Sequence, residues 1–481
     1  MSLDSRSRNR RKHRHIATWL TGLLLIGLLA ATGSSAASSD VSESGGVGSE
    51  PVLAADVSAD SAVWSATGTQ LGLVREANLV SEFVGGGERA KEATVTSSSE
   101  LSAVLLDDYR EIARVTGRSL DETILEGELS DLFIDAVTEI SEQFPHLVAS
   151  EVWRSDDVDA PRITFVEKPP KSVISKLKHL PFAVEMRYGA RLNEHDVADI
   201  SGLVMQEISS RIGKDRDIFT SFDESDGSIK VAYERPQDLA KYGRFDARDV
   251  LRDIAGQYRG ALPTDISIEP LEPSTGKPAS PEANVRGGYQ LTKAGSVPEC
   301  TSGFSASRGG VQGVVTAGHC ANSLYWNGQN NVISYVTQYP GSTSNYTLDL
   351  QFHKSLSGHA TQAKFRADIG DVRNVNAIKK PVVGADACRF GMTTKRHCST
   401  IHATQACVYY SNLGLRFCYL AVSKAYTSDF GDSGGPWYKA KQAMGTHTGS
   451  IIVNNDGVLR SAATSIVQVK NALGANVLTS G

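Results

Sequence analysis

The spacing of hydrophobic residues predicts alternating helices and strands between residues 128 and 270. Apolar residues recur at every third or fourth position from Asn193 to Ile212, which predicts an amphipathic helix. The pair Asp226-Gly227 separates two short apolar runs and favours a β-hairpin, because both residues tolerate positive φ. The other predicted elements are strands at 163–166, 182–187 and 266–268 and helices at 173–180 and 250–258. This pattern predicts a small α/β domain without cysteines.

The hydrophobic pattern changes after about residue 285. Short apolar runs at 314–315, 332–336, 348–352 and 451–453 are separated by Gly, Ser and Asn, which is typical of strands and turns. Helical periodicity returns only in the last segment, from Ser465 to Leu473. The region 285–481 is therefore predicted to be all-β with a C-terminal helix, and spacing alone does not decide between a sandwich and a barrel.

Two further segments flank the α/β domain. Residues 271–284 contain Pro273, Pro278 and Pro281, and proline neither donates to a sheet nor continues a helix, so this segment is predicted to be an exposed linker. Residues 37–127 begin rich in Ser and Gly and are predicted to be mostly flexible, apart from a short helix near 101–115.

The first 36 residues have the pattern of a secretory signal peptide. Six basic residues precede an uncharged stretch from Ile16 to Thr32, and small residues follow at 34–37. This order predicts export with cleavage near Ala36. The alternative is an uncleaved membrane anchor that leaves the rest of the chain outside, although about 20 apolar residues are needed to cross a bilayer and this stretch is slightly short.

Composition narrows the range of functions. The chain has 481 residues, 40% of them hydrophobic and 21% charged, with a formal net charge of -5. This length predicts two folded units, and the charge provides no basic surface for nucleic acid. All six cysteines lie after residue 299, which in an exported protein indicates disulfides. The paired C-x-x-C spacing of zinc sites is absent from the sequence, and no metal or cofactor is expected.

Two short motifs carry the chemistry. Thr316-Ala317-Gly318-His319-Cys320 follows an apolar run, and Gly431-Asp432-Ser433-Gly434-Gly435-Pro436 places a serine among glycines. A serine hydroxyl needs a base such as histidine to become a nucleophile at neutral pH. Glycines beside that serine let backbone N–H groups approach a developing oxyanion.

These motifs resemble those of the chymotrypsin-like serine proteases, and the region 285–481 is similar to their bacterial streptogrisin and α-lytic branch. The resemblance implies a mature domain of two antiparallel β-barrels with a C-terminal helix, preceded by an α/β pro-region. It also implies a serine endopeptidase in which His319 is the general base and Ser433 the nucleophile. The backbone N–H groups of Gly431 and Ser433 would then form the oxyanion hole.

A carboxylate should orient the histidine. Asp349 lies within an apolar stretch between the two motifs, where a carboxylate needs a specific partner, and it is therefore the candidate for the third triad member. Asp368 and Asp371 lie in a more polar, glycine-containing segment and are interpreted as surface turn residues.

The resemblance also implies a buried ion pair and two disulfides. Asp432 would pair with Arg389, as in the bacterial branch, so that folding alone orders the oxyanion hole; the alternative is a solvated surface arginine. The implied disulfides are Cys300 with Cys320 and Cys388 with Cys398. These leave Cys407 for Cys418, a bridge that departs from the branch.

The substrate pocket is predicted near two segments. Thr427 and Ser428 would form its base, and His447, Thr448, Gly449 and Ser450 would form one wall. His447 and Ser450 resemble the residues with which bacterial glutamyl endopeptidases bind a carboxylate side chain. The alternative is a packed histidine beside a pocket for a medium-sized side chain, and Asp429 nearby would oppose an anion. By the same resemblance, the hydroxyl of Thr448 is expected to support Asp349.

The expected protein is a monomeric, secreted enzyme made as a zymogen. Its expected partners are protein or peptide substrates and its own pro-region at 128–270, which would assist the slow formation of long-range β contacts. Two alternatives remain at this point: a catalytically silent binding protein on the protease fold, and a membrane-tethered processing protease.

Overall fold

A computed structural model describes residues 79–86, 101–155, 160–234, 246–271, 287–293, 297–326, 333–338, 345–355 and 360–480. These residues belong to one compact unit, Thr69–Gly481, and the other unit, Met1–Gly68, lies outside them. The predicted signal segment 1–36 and all of the predicted linker except Leu271 also lie outside. Within the described part of the chain, no helix has both the length and the apolar character needed to cross a bilayer.

The described residues of the N-terminal region, up to Leu271, form helices and strands, and the strands lie in two sheets. One sheet has the strand order β1-β4-β3-β2, in which only β3 and β4 are parallel. The helices and strands of the N-terminal region are β1 (Val80–Gly85), α1 (Ala103–Thr116), α2 (Leu120–Gln143), β2 (Val148–Val152), β3 (Arg162–Phe165), α3 (Lys171–Lys178), β4 (Ala183–Tyr188), α4 (Glu194–Ile212), β5 (Ile218–Asp223), β6 (Ser228–Glu234), α5 (Ala247–Gln257) and β7 (Ile266–Leu271).

Local sequence signals set the helix boundaries. Asn193 caps α4 and forms a capping box with Asp196, in agreement with the predicted helix start. Ser119 and Glu122 form the same arrangement at the start of α2, and Gly117, with a φ of 73°, ends α1. The helix α2 crosses residue 128, where the α/β domain was predicted to begin. The ordered part of the N-terminal region therefore extends further upstream than the prediction of a mostly flexible segment to residue 127.

The region predicted to be catalytic, which the structure describes between residues 287 and 480 and which is called the catalytic region below, is mostly antiparallel β-structure. Six of its strands pair in the closed order β18-β21-β22-β23-β20-β19, and β19 pairs back onto β18, so they form a barrel. These strands are β18 (Asp386–Gly391), β19 (Lys395–Tyr410), β20 (Leu415–Ser423), β21 (Pro436–Lys439), β22 (Gln442–Ile452) and β23 (Leu459–Ser465). The short helix α6 (Val467–Leu473) and strand β24 (Asn476–Val477) follow them.

The first half of the catalytic region is the part for which the resemblance implied another barrel. Its described strands form a five-stranded sheet, β13-β14-β11-β10-β24, and a separate three-stranded sheet, β12-β8-β9, beside a β15-β16 hairpin. Its strands are β8 (Gln290–Lys293), β9 (Val297–Thr301), β10 (Ser305–Arg308), β11 (Val311–Thr316), β12 (Tyr325–Trp326), β13 (Ile333–Gln338), β14 (Gln351–Ser355), β15 (Lys364–Asp368), β16 (Asp371–Asn374) and β17 (Ala377–Ile378).

One sheet joins the two regions. The edge of β19 pairs with β5, with Cys407 opposite Thr220 and Val408 opposite Phe219, and β6 and β7 continue the sheet. Pairing satisfies the backbone N–H and C=O groups that the β19 edge would otherwise expose. The N-terminal region is thus bound to the catalytic region by backbone hydrogen bonds.

Candidate active site

Three elements bring His319, Asp349 and Ser433 together. His319 lies just after β11, and Asp349 lies just before β14, the antiparallel neighbour of β11. Because antiparallel neighbours run in opposite directions, the end of one and the start of the other lie at the same sheet edge. The side chain of Gln351 fixes the histidine loop by donating to the carbonyls of Ala317 and Cys320. Ser433 comes from the other half, just before β21.

The ring of His319 lies within hydrogen-bond distance of both Ser433 and Asp349. Nε2 of His319 lies 2.9 Å from Oγ of Ser433, and Nδ1 lies 2.9 Å from both carboxylate oxygens of Asp349. The backbone N–H of His319 also donates to Asp349, at 2.8 Å. A carboxylate accepts but does not donate hydrogen bonds, so the proton of the neutral ring belongs on Nδ1 and Nε2 is free to accept from the serine.

The electrostatics of the pair favour a charged imidazole. Burial disfavours the imidazolium, but the charge of Asp349 and its hydrogen bond to the ring outweigh burial, and the pKa of His319 is raised above its ordinary value. Asp349 is completely buried, whereas 18% of the His319 side chain is exposed. The ring can therefore meet a substrate while its carboxylate partner stays away from water.

A buried ion pair lies behind the serine. Arg389 Nη1 is 3.3 Å from Oδ2 of Asp432, and the two side chains are at most 3% exposed. Asp432 also accepts from the backbone N–H groups of Thr393, Thr394 and Asp429. Burial lowers the pKa of Arg389 to about 10, although Asp432 opposes that shift. The expected pair is formed, and the alternative of a solvated arginine does not apply.

Hydrogen bonds to two carbonyls orient the N–H groups of Gly431 and Ser433. The carbonyl of Phe430 accepts from the hydroxyl of Thr393 at 2.6 Å, and the carbonyl of Asp432 accepts from the N–H of Gly435 at 2.9 Å. In a planar trans peptide the C=O and N–H groups point in opposite directions. The N–H groups of Gly431 and Ser433 therefore point away from these two partners.

Close packing requires glycine at two positions around the serine, one in the serine loop and one at the end of β18. A Cβ on Gly434 would lie 2.0 Å from Oγ1 of Thr316, and its φ is +85°. A Cβ on Gly391 would lie 2.1 Å from Oδ1 of Asp432. No L side chain fits at either distance, so these positions keep the serine loop against the histidine strand and the ion pair.

The residues predicted to form the pocket are near one another and mostly hydrogen-bonded. Ser461 joins its base, because its Oγ lies 2.8 Å from Oγ of Ser428 and accepts from the N–H of Thr427. Gly449 and Ser450 lie on β22, and the carbonyl of Ser450 accepts from the hydroxyl of Tyr410 at 2.8 Å. Thr448 does not support Asp349 as expected: its hydroxyl lies 3.0 Å from that of Thr464, a neighbour across β22 and β23.

His447 is buried and stacked on Trp437. The ring planes are nearly parallel, at 13°, and Nδ1 of His447 accepts from the indole N–H of Trp437 at 3.2 Å. Burial lowers the pKa of His447 well below its ordinary value, and the charge of Arg389 acts in the same direction. The imidazole is therefore neutral, with its proton on Nε2.

All three disulfides are formed as expected, between Cys300 and Cys320, Cys388 and Cys398, and Cys407 and Cys418. Two groups of side chains in the described residues have the spacing of metal ligands, one around His319 and one around Asp108. Both include cysteines whose sulfurs are already bonded to each other, and a metal ligand requires a thiolate. These groups do not fit a metal ion.

Sequence reasoning did not identify three positioning residues of the site. Thr301 donates its hydroxyl to the carbonyl of Gly431, and its N–H donates to the carbonyl of Ser433. Thr393 and Ser461 act through similar bonds. Hydroxyl groups that orient backbone come from distant strands and have no local sequence pattern.

Known proteins with similar sequences are bacterial serine proteases. The chain is 30% identical over 216 residues to streptogrisin-C of Streptomyces griseus, which covers 41% of this chain and 42% of that protein. It is 29% identical over 167 residues to glutamyl endopeptidase 2 of the same organism, which covers 34% of this chain and 85% of that protein. No family model matches the chain.

Among solved structures, that of Cellulomonas bogoriensis chymotrypsin is 25% identical and covers 41% of this chain and 99% of its own, with a TM-score of 0.32. The aligned part of the chain spans less than half the length of streptogrisin-C. About two fifths of this chain is thus similar in sequence to bacterial chymotrypsin-like serine proteases of the streptogrisin type.

Proposed function

We propose that this chain is a secreted serine endopeptidase made as a zymogen, a monomer that cleaves protein or peptide substrates. The observation that supports it most is the position of the His319 ring, 2.9 Å from the Ser433 hydroxyl on one side and 2.9 Å from the Asp349 carboxylate on the other. A hydroxyl, a base and a buried carboxylate in this order are the components of acyl transfer by serine.

In this mechanism Ser433 Oγ attacks the carbonyl carbon of the scissile peptide and transfers its proton to Nε2 of His319. Asp349 stabilises the imidazolium, and the N–H groups of Gly431 and Ser433 stabilise the oxyanion. The imidazolium then gives its proton to the leaving amine, and the C–N bond breaks to leave an acyl-enzyme. Water, activated by His319, then attacks this ester. The attack releases the carboxylic acid fragment of the substrate and regenerates the serine hydroxyl.

Hydrolysis by the purified protein separates this proposal from a catalytically silent binding protein. We expect peptide hydrolysis by the wild type and by the control variant Ser399→Ala, which changes a partly exposed serine in β19. We expect a loss of about 10⁴-fold or more with Ser433→Ala, because the remaining donors cannot replace the nucleophile. Equal rates for wild type and Ser433→Ala would contradict the proposal.

The N-terminal region acts as a folding pro-region in this proposal. The pairing of β5 with β19 and the packing of α4 against Tyr346, Leu348 and Cys418 support it, because these contacts bring together segments that are far apart in sequence. Refolding of residues 285–481 with and without residues 37–270 added in trans tests it. We expect a large increase in active yield with the N-terminal region, and equal yields would contradict the folding role.

Export completes the proposal, and the apolar segment 16–32 supports it. N-terminal sequencing and mass spectrometry of protein from the culture medium should find a start after Ala36 or, for the processed enzyme, after about residue 270. Retention of the whole chain in the membrane fraction would instead support the tethered alternative.

The pocket is proposed to take a polar side chain at the residue before the scissile bond. Hydroxyl groups of Ser428 and Ser461 meet at its base, and His447 has a neutral N–H that could donate to an oxygen. A peptide library should show enrichment of Glu or Gln at this position over Leu and Phe. Enrichment of large apolar residues would instead support the interpretation of His447 as a packed core residue.

A further inference from the structure

A group of cations on the catalytic region is covered by carboxylates of the N-terminal region. Lys439 Nζ, in β21, lies 2.7 Å from Asp131, and it also donates to the carbonyl of Gly127 and the hydroxyl of Ser130. Two of the three N–H donors of the ammonium are thus hydrogen-bonded, and Asp131 provides the opposite charge. Only 4% of the Lys439 side chain is exposed, so its charge depends on α2 for compensation.

A second lysine makes a similar contact further along α2. Lys380 Nζ lies 2.6 Å from Glu151, in β2, and 2.7 Å from Glu194, in the first turn of α4. Its backbone N–H donates to the hydroxyl of Thr138, in α2. Its pKa is raised, because the two carboxylates outweigh the cost of burial. The ammonium is therefore held between two elements of the N-terminal region.

The helix α2 meets these lysines with one polar stripe. Apart from the adjacent Ser130 and Asp131, its residues in this contact recur every three to four positions, which places them on one face of the helix. The stripe consists of Gly127, Ser130, Asp131, Asp135, Thr138 and Ser141, and it contacts Lys379, Lys380 and Lys439. The apolar side chains of α2 pack in the core of the N-terminal region; they are Phe133, Ile134, Val137 and Ile140.

Carboxylates of the helix α1 also pair with cations of the catalytic region. Arg373, in β16, donates to both carboxylate oxygens of Asp108, and Arg396, in β19, pairs with Asp107 and Asp108. One pair has the opposite polarity, since Arg118 of the N-terminal region binds Asp386 at 2.7 Å. The mixture of signs adds orientation to attraction, because a shifted helix would bring like charges together.

We propose that Arg373, Lys379, Lys380, Arg396 and Lys439 form a cationic docking surface whose ligand is the carboxylate-bearing N-terminal region of this same chain. The surface holds that region after the chain is cut between the two regions, and it allows the separate region to rebind. It is distinct from the junction of β5 with β19, which consists of backbone pairing. Without the N-terminal region, Lys379, Lys380 and Lys439 lose their carboxylate partners, so dissociation carries an electrostatic cost. Arg373 and Arg396 keep Asp371 and Asp368 of the catalytic region, so this cost falls mainly on the three lysines.

The test uses the full chain with Ser433→Ala and a recognition sequence for an added protease placed between residues 272 and 286. After folding and cutting, analytical ultracentrifugation measures the Kd of the two fragments at about 0.05 and 0.5 M salt. The proposal rests on the proposed function only in assuming that the regions become separate molecules. Because this chain lacks the nucleophile and is cut by another enzyme, a failure of docking is distinguishable from a failure of catalysis.

We expect Lys439→Met and Asp131→Asn each to raise Kd by about tenfold or more at low salt, as truncation of one partner in a buried charge pair does. The matched control, Arg252→Met in the exposed pair with Asp249, should leave Kd unchanged. Exchange of the charges in Lys439→Asp with Asp131→Lys should recover at least half of the loss. A Kd unchanged by Asp131→Asn, Lys439→Met and salt would overturn the proposal and assign the association to strand pairing alone.

Discussion

The hydroxyl of Thr393 donates to the carbonyl of Phe430 at 2.6 Å, and this bond orients the peptide N–H of Gly431 toward the side on which Ser433 would bind an oxyanion. Thr393 comes from the turn between β18 and β19, which the disulfide Cys388–Cys398 connects. The candidate oxyanion donor is thus oriented by the turn that joins β18 to β19 in the barrel.

Replacement of Thr393 by Val should remove this bond with little change in side-chain volume. We expect kcat to fall by about ten- to a hundredfold with KM nearly unchanged, because a misdirected donor matters most in the transition state. Steady-state kinetics on a peptide substrate measures the split, and Thr393→Ser, which keeps the hydroxyl, is the control. A rise in KM of about ten- to a hundredfold with unchanged kcat would contradict a role in orienting the oxyanion donor.

Arg389→Met should destabilise the catalytic region strongly. The substitution leaves Asp432 buried without its cation, which typically costs about 3–5 kcal/mol of unfolding free energy. Urea unfolding of the Ser433→Ala chain measures the loss without self-digestion. The double variant Arg389→Met with Asp432→Asn should recover part of that stability, and a single variant as stable as its parent would contradict the importance of the pair.

The pH profile follows from the raised pKa of His319. Catalysis needs the neutral imidazole of His319, so activity is lost when acid protonates the ring. Because the pKa of His319 is raised, this loss occurs at a higher pH than the ordinary histidine pKa of about 6.5. We expect the acidic limb of kcat/KM to have its midpoint above about 6.5. In Asp349→Asn, the midpoint should move to lower pH and the rate should fall by about 10⁴-fold. A midpoint of the wild-type acidic limb below about 6.5 would contradict the pairing of His319 with Asp349.

Gly202 sets the distance between α4 and the segment before Asp349. A Cβ at this position would lie 2.8 Å from the backbone oxygen of Asn345, whereas a Cβ on Gly256, in α5, meets nothing within 4 Å. We expect Gly202→Ala to lower the unfolding free energy by more than about 1 kcal/mol, as overpacking does. Gly256→Ala should be neutral or slightly stabilising, because alanine favours helix. Equal effects of both substitutions in urea unfolding would exclude a tight contact between α4 and that segment.

Periodic elements could be predicted from the sequence, and contacts between distant elements could not. The helix from 193 to 212 and the hairpin at Asp226-Gly227 are found as expected, because α4 buries one apolar face and the turn chemistry is local. The helix α2 was missed, because a polar stripe against the lysines interrupts its apolar pattern. The pairing of β5 with β19 has no local signal at all.

The candidate site follows the same division. His319 and Ser433 were found from their motifs, and Asp349 from the cost of burying a carboxylate in an apolar stretch. The hydroxyl of Thr448, which was expected to support Asp349, lies 3.0 Å from that of Thr464 on the neighbouring strand instead. Register across two strands is not readable from either strand alone. Thr301, Thr393 and Ser461 act on backbone from other strands and could be found only in the folded chain.

The most direct test of the account is the position of a covalent label. The wild-type protein is treated with a fluorophosphonate, digested and mapped by mass spectrometry, with His319→Ala as the control. The account predicts one adduct, on Ser433, and a rate of labelling reduced by about 10³-fold or more in His319→Ala, because the hydroxyl then lacks its base. An adduct on another residue, or labelling of Ser433 at the same rate without His319, would contradict it.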